Sequence, residues 1–219
     1  MFFSLIGMIR CLLMCGQLEE AAQQLEFFCE VQESLGNTAE VCLLKVVLSR
    51  KRRAGGQTEI QLLKEATELH FLTLRGLNYG VEYLQNLNLN FLLQIVCLHM
   101  ESNQDIPLAP GQTPLFWLKH SNMILESVIK AVPGLSVGCY YMAYIKFLLG
   151  DHRTAQHLLI VCMQKEPIMP EMHLLQARLH LHAGEHRRCL SCLESGVSIN
   201  FEVNNRTLSQ VHFVTSRFS

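Results

Sequence analysis

Thirty-four residues after Ala143, Gly150, Asp151, His152, Arg153 and Leu159 stand Ala177, Gly184, Glu185, His186, Arg187 and Leu193. A period of that length, holding a small residue, a turn glycine and an apolar residue in fixed phase, marks a helix-turn-helix repeat of the tetratricopeptide kind. Each position answers a packing need. A small residue lets two helices approach, glycine ends the first helix where φ must be positive, and proline stops the second. The best-formed copy runs from Cys139 to Pro167, with Ala143, Gly150-Asp151, Ala155, Leu159 and Pro167 at the required offsets. One period before Pro167 stands Pro133, closing a helix from about Phe116 to Ala131. That helix reads as the second member of a pair whose first member is displaced or replaced.

Near the start, Gly16 followed by Gln17-Leu18-Glu19-Glu20-Ala21-Ala22 and Leu25 repeats the same turn, with one helix from about Phe3 to Cys15 and the next reaching about Ser34. Gly16 and Gly150 are 134 residues apart, close to four periods, so the stretch between them is expected to be degraded repeat. There, Thr38 to Arg52 and Glu59 to Phe71 make a pair around Gly55-Gly56, and Leu77 to Gln85 and Asn90 to Met100 make another. Pro107, Pro110, Gly111 and Pro114 mark 102–114 as a loop. No segment alternates with period 2, so the expected fold is an all-α tetratricopeptide-repeat α-solenoid, a right-handed superhelix of helix-turn-helix pairs. By sequence it divides into helical repeats over 1–101, a Pro-rich loop over 102–115, better-formed repeats over 116–203 and a tail without helical period over 204–219.

Composition supports a packing chain. Hydrophobic residues make up 49% and charged residues 17% of the 219, a balance that excludes general disorder. With 18 Lys+Arg against 19 Asp+Glu, the electrostatic footprint of a nucleic-acid binder is missing. Nine cysteines, an odd number spread along the chain, argue for a reducing cytoplasmic setting over a disulfide framework. The apolar opening, Met1 to Ile9, has no basic residue ahead of it and is interrupted by Arg10, so it is not read as a secretory signal. No apolar run reaches the roughly 18 residues of a membrane span, and membrane insertion is not expected. The Asn205-Arg206-Thr207 sequon is accordingly read as idle.

Three clusters invite a functional reading. His182-Ala183-Gly184-Glu185-His186 spells H-x-x-E-H, an inverted zinc-peptidase motif, which would make the chain a metal-dependent hydrolase resting on His182, Glu185 and His186. That chemistry needs both imidazoles on one face of a continuous helix. Here the central residue is the turn glycine of a repeat, so the match is read as an accident of a His-rich turn. His180, His182, His186, Cys189 and Cys192 could converge on a structural metal, but Cys189 holds the small-residue position of Ala155 and is read as a buried thiol. Arg50-Lys51-Arg52-Arg53 could contact an acidic partner or act as a nuclear signal. The simpler reading is a solvated helix end that complements the helix dipole. No nucleotide, nucleophile-elbow or kinase motif is present, so neither enzyme activity nor a cofactor is expected.

What remains is the inner groove of the array, lined by the first helix of each pair. Its expected residues are Ile6, Arg10 and Leu13, then Tyr140, Tyr144 and Phe147, then Leu174, Arg178 and Leu181. Repeat proteins that grip acidic chaperone tails put Lys and Asn in such positions to clamp a carboxylate. That pattern is absent here, which disfavours a chaperone-linked adaptor. An apolar, aromatic lining with isolated arginines suits a partner helix or another solenoid. The same side chains could equally be covered by neighbouring repeats of this chain.

Several stretches carry a more specific likeness. Phe2-Phe3-Ser4-Leu5-Ile6-Gly7-Met8-Ile9-Arg10, Gln17-Leu18-Glu19-Glu20-Ala21-Ala22, Glu68-Leu69-His70-Phe71, Asn90-Phe91-Leu92-Leu93, Val132-Pro133-Gly134-Leu135 and Ser198-Ile199-Asn200-Phe201-Glu202-Val203, in that order and spacing, resemble the tetratricopeptide repeat protein 21 family. The resemblance implies a large repeat subunit of intraflagellar transport complex A, acting in retrograde ciliary transport, cilium assembly and protein localisation to cilia. Its implied partners are the other complex A subunits and ciliary cargo, in the cytoplasm and the cilium. Family members are several times longer, so the chain is expected to be an interior fragment or a shortened form. Beyond Val203 the residues Asn204 to Ser219 are read as unrelated to the family, and a frayed end with weak incorporation into the complex is expected.

Overall fold

The computed structural model describes residues 2–32, 38–53, 57–101, 106–165 and 169–199. Among these residues there are eleven helices and no strand, the all-α architecture that the periodicity demands. The chain divides into two compact units, Met1–Ile95 and Val96–Ser219, with the division inside a helix and ahead of residues 102–115. The 204–219 tail lies outside the described residues.

In the first unit, α1 (Phe2–Cys15) and α2 (Leu18–Gln32) form one hairpin, and α3 (Ala39–Lys51) and α4 (Gln57–Thr73) form another. Ile9, Leu13, Leu25, Phe28 and Leu44 interlock between them, each at most 4% exposed, around the wholly buried Ala21. Burial of that depth stabilises the fold by about 1.5–3 kcal/mol per large side chain. Helix α3 has no apolar stripe because it is enclosed: Val41, Cys42, Leu43, Leu44 and Val46 are all buried, on every side of the axis. Burial, aided by the nearby Glu65 charge, pushes the Cys42 thiol up to about 11.

The expected pair at 77–100 is only half present. Its first helix, α5 (Val81–Asn86), is six residues long, starts four residues later than the pattern suggests and buries nothing. Gly76 at φ +88° ends the preceding turn, and Gly80 caps α5 in an extended conformation, so Leu77 to Gly80 cannot be helical. The buried residue is instead Leu87, whose carbonyl accepts a 2.8 Å hydrogen bond from His70 Nε2 on α4. Phe91 packs on the same imidazole at 4.9 Å. These contacts anchor the start of α6 (Leu89–Glu101), where the division between the units falls.

In the second unit, α7 (Phe116–Ala131) packs on α8 (Ser136–Leu148). Helices α8 and α9 (His152–Lys165) then form one hairpin, and α10 (Pro170–His182) and α11 (His186–Ile199) the next. The partner sought for α7 is supplied in part by the end of α6. His99 and His120 are buried and hydrogen-bonded at 2.9 Å, and Cys97 Sγ–H donates to Tyr141 Oη at 3.0 Å. Ala143, Ala155, Ala177 and Cys189, the small-residue positions of the repeat, are all at most 1% exposed. Cys189 therefore acts as the small apolar residue that its register implies.

Three hairpins close with the same six-residue turn. Gly16, Gly150 and Gly184 have φ of +77°, +81° and +75°. Each glycine N–H donates three residues back, to Leu13, Phe147 and Leu181, and the next N–H donates five residues back, to Leu12, Lys146 and His180. This pairing is the Schellman motif, which satisfies the orphan carbonyls of the first helix while reversing the chain. Asp151 then caps α9, its Oδ1 accepting from Thr154 N at 3.1 Å.

Replacing Gly184 with Ala forces an L-residue into the left-handed region and is expected to lower the unfolding free energy by about 1–2 kcal/mol, read from urea denaturation. In the first unit, Arg50→Ala is expected to cost about 1–3 kcal/mol. It would strip the Glu59 carboxylate, whose side chain is 10% exposed, of its 3.1 Å partner.

Candidate interaction groove

The nine expected groove residues fall on helices α1, α8 and α10, and their exposure is uneven. Leu13 and Phe147 are buried, as are Tyr144 and Leu174, whereas Ile6, Tyr140, Arg178 and Leu181 are half-buried and Arg10 is exposed. In the second unit Tyr144 and Phe147 meet the adjacent repeat, whereas Leu174 packs within its own hairpin against Ala177, Cys189 and Leu193. Tyr144 and Arg178 are one period apart and touch: Arg178 Nη1 donates to Tyr144 Oη at 3.2 Å, and the guanidinium lies 5.9 Å from the ring centroid. Tyr140, Tyr144 and Phe147 continue as a ladder with centroid spacings of 6.4 and 6.5 Å. Phe147 ends it against His182, edge-on at 5.3 Å.

The H-x-x-E-H segment spans the end of α10, the Schellman turn and the first residue of α11. His182 stacks on His152 at 5.2 Å, and its ring nitrogens do not share a helical face with those of His186. Glu185 is committed to its own turn, accepting from His180 Nδ1 at 2.7 Å and from Arg188 Nη1 at 3.1 Å. Those two donors, His180 first, hold its carboxyl below the usual range. Burial raises the Cys189 and Cys192 thiols, favouring the neutral form over the thiolate that zinc requires. Among the described residues, no three His, Cys, Asp or Glu side chains are placed to hold a metal ion. The arrangement is a structural turn beside a recess of about 320 Å³.

The basic run at the end of α3 is less bland than its sequence suggests. Arg50 pairs with Glu59 of α4 at 3.1 Å, and Arg52 pairs with Glu19 of α2 at 2.8 Å. Arg53 takes φ +55° as the chain leaves the helix. Lys51 points elsewhere, onto a recess of about 280 Å³ between α1, α3 and α6. Of the three α1 residues expected in a groove, Arg10 and Leu13 line this recess and Ile6 does not; Met14, Leu43, Leu44, Val47 and Gln94 also line it. Leu44, Val47 and Lys51 stand at i, i+3 and i+7 and so share one helical face, but on an all-round apolar helix that spacing singles out no face. The degraded register over 38–100 hid which face of α3 turns toward α1.

A family model described as Tetratricopeptide repeat protein 21 second ARM domain matches residues 1–184. The chain is 40% identical over 213 residues to Tetratricopeptide repeat protein 21B of Xenopus laevis and 38% identical over 214 residues to Tetratricopeptide repeat protein 21A of Mus musculus. These matches cover 97% and 98% of this chain but only 16% of each relative. A match of that extent necessarily enters 204–219, so this stretch is not wholly unrelated to the family, contrary to the expectation from sequence. Among solved structures, MamA of RS-1 aligns with a TM-score of 0.59 at 11% identity, covering 89% of this chain and 92% of that one. YrrB, described as a TPR protein with an unusual peptide-binding site, aligns at 0.57 and 11% identity, covering 97% and 90%. At such identities the likeness is one of fold.

The His152–His182 stack gives this part of the array a pH response. Partial desolvation of an otherwise exposed ring, and secondarily the charge of His152, lowers the His182 pKa from its ordinary 6.5. The unfolded chain therefore takes up a proton that the folded chain resists, and stability falls as pH drops below about 6.5. His182→Phe, which keeps the ring contacts and removes the titration, is expected to flatten the fall in thermal midpoint between about pH 7.5 and 5.5.

Proposed function

We propose, for a chain that belongs to the tetratricopeptide repeat protein 21 family, that it is a non-enzymatic scaffold segment holding protein partners within a ciliary transport assembly. The observation that carries this reading is the family match over residues 1–184, at 36–40% identity to vertebrate members over nearly the whole chain. The repeat architecture supports it. Cys42, Cys139, Cys162 and Cys189 are buried among its packed helices, and His180 is tied to the turn residue Glu185.

On this reading the segment acts in intraflagellar transport complex A, in the cytoplasm and the cilium, and its partners are complex A subunits and ciliary cargo. The groove residues that remain accessible, Ile6, Arg10, Tyr140, Arg178 and Leu181, contribute to partner contact. The more deeply buried Leu13, Tyr144, Phe147 and Leu174 set their positions from below.

The test is a replacement. A family member whose corresponding segment is exchanged for this chain, expressed in ciliated cells lacking the endogenous protein, is expected to reach cilia and to co-purify complex A subunits. Recovery of chaperones in place of complex A subunits would instead indicate a chaperone-linked adaptor. A swapped protein that assembles normally only when this segment is deleted would overturn the scaffold reading.

A further inference from the structure

The recess between α1, α3 and α6 combines two features that seldom sit together without purpose. Its floor is apolar, built from Leu13, Leu43 and Leu44, which are buried, with the half-buried Val47 beside them. Its lining carries two cations, Arg10 from α1 and Lys51 from α3, and no acidic residue. Arg50 and Arg52, the neighbours of Lys51 in sequence, each have a carboxylate partner. Among the described residues neither Arg10 nor Lys51 has one. Met14 stands on the wall at 84% exposure, a flexible thioether side chain of the kind that adapts to an incoming apolar group.

We propose that this recess docks a short acidic segment of a protein partner, which seats one large apolar side chain on the leucine floor and aligns flanking carboxylates with Arg10 and Lys51. The inference rests on the scaffold reading and names the chemistry of one partner contact within it. Charge decides the occupant: two uncompensated cations attract Asp and Glu and repel a basic segment. Size points the same way, since about 280 Å³ is smaller than the roughly 300–1,000 Å³ of small-molecule sites and suits a single side chain. The floor supplies affinity through desolvated apolar contact, and the exposed cations supply selectivity and salt dependence. This differs from a carboxylate clamp for a chain terminus, because the two cations share the recess with an apolar floor.

The experiment is selection of a random peptide display library on the purified chain and on its Arg10→Glu/Lys51→Glu variant, with circular dichroism confirming that the variant folds. Peptides enriched on the natural chain are expected to combine Asp or Glu with Leu, Ile, Met or Phe. The charge-reversed chain is expected to enrich Lys and Arg in their place. A synthetic, fluorescein-labelled copy of the leading acidic peptide is expected to bind the variant about tenfold or more weakly, with added salt eroding the difference. Absence of any enrichment, enriched peptides without excess acid, or binding unchanged by the reversal would each overturn the docking proposal. None of these outcomes bears on recovery of complex A subunits by the swapped protein, so failure here is distinguishable from failure of the scaffold reading.

Discussion

A backbone at positive φ, three times over, sets the terms for this fold. At Gly16, Gly150 and Gly184 the chain enters the left-handed region, two amide protons reach back to carbonyls three and five residues earlier, and the next helix starts in a fixed phase. Because that phase is fixed, Ala21, Ala155 and Cys189 arrive at the point of closest helix approach and are wholly buried there. A residue with a Cβ at the turn would strain the reversal, and a larger one at the contact would separate the helices. The apolar core follows from this geometry as much as from the hydrophobicity of its members.

Electrostatics enters where the repeat pattern is weakest. Over 38–100 the turn glycines lose their phase, and the second hairpin is tied instead by Arg50 to Glu59 and by Arg52 to Glu19. The first of these pairs is substantially buried, so its loss exposes the full desolvation cost of Glu59. His70 performs a related task, donating to Leu87 and packing on Phe91, which anchors α6 where α5 is too short to help. The same redistribution leaves Lys51 and Arg10 at an apolar recess, a basic lining created by which cations found partners and which did not.

How legible all this was depended on local periodicity. Helices α1 and α7 were readable nearly to the residue, and α8 to α11 were readable as two hairpins turning at Gly150 and Gly184, because glycine, proline and small residues recur in register. The H-x-x-E-H motif was readable as a turn for the same reason, since Gly184 occupies the phase of Gly150. Leu77 to Gly80 were misread as helix because their apolar residues fit the pattern, while Gly76 and Gly80 imposed turn conformations that outweighed it. Of the groove, Arg10 and Leu13 were legible on α1, but Leu43, Leu44 and Val47 were not, since α3 is apolar on every side and shows no preferred face.

By itself the sequence determined the repeat, the turns and the small-residue contacts, because each depends on residues within one period, where steric demands act locally on φ, ψ and helix spacing. It determined equally that His182, Glu185 and His186 could not share a helical face. Only the tertiary structure decided which arginines would be paired, which groove residues would be covered by the next repeat, and where cations would border a recess with an apolar floor. Those outcomes depend on side chains brought together from distant helices, as with Arg52 and Glu19 or Arg10 and Lys51, and no local preference encodes them.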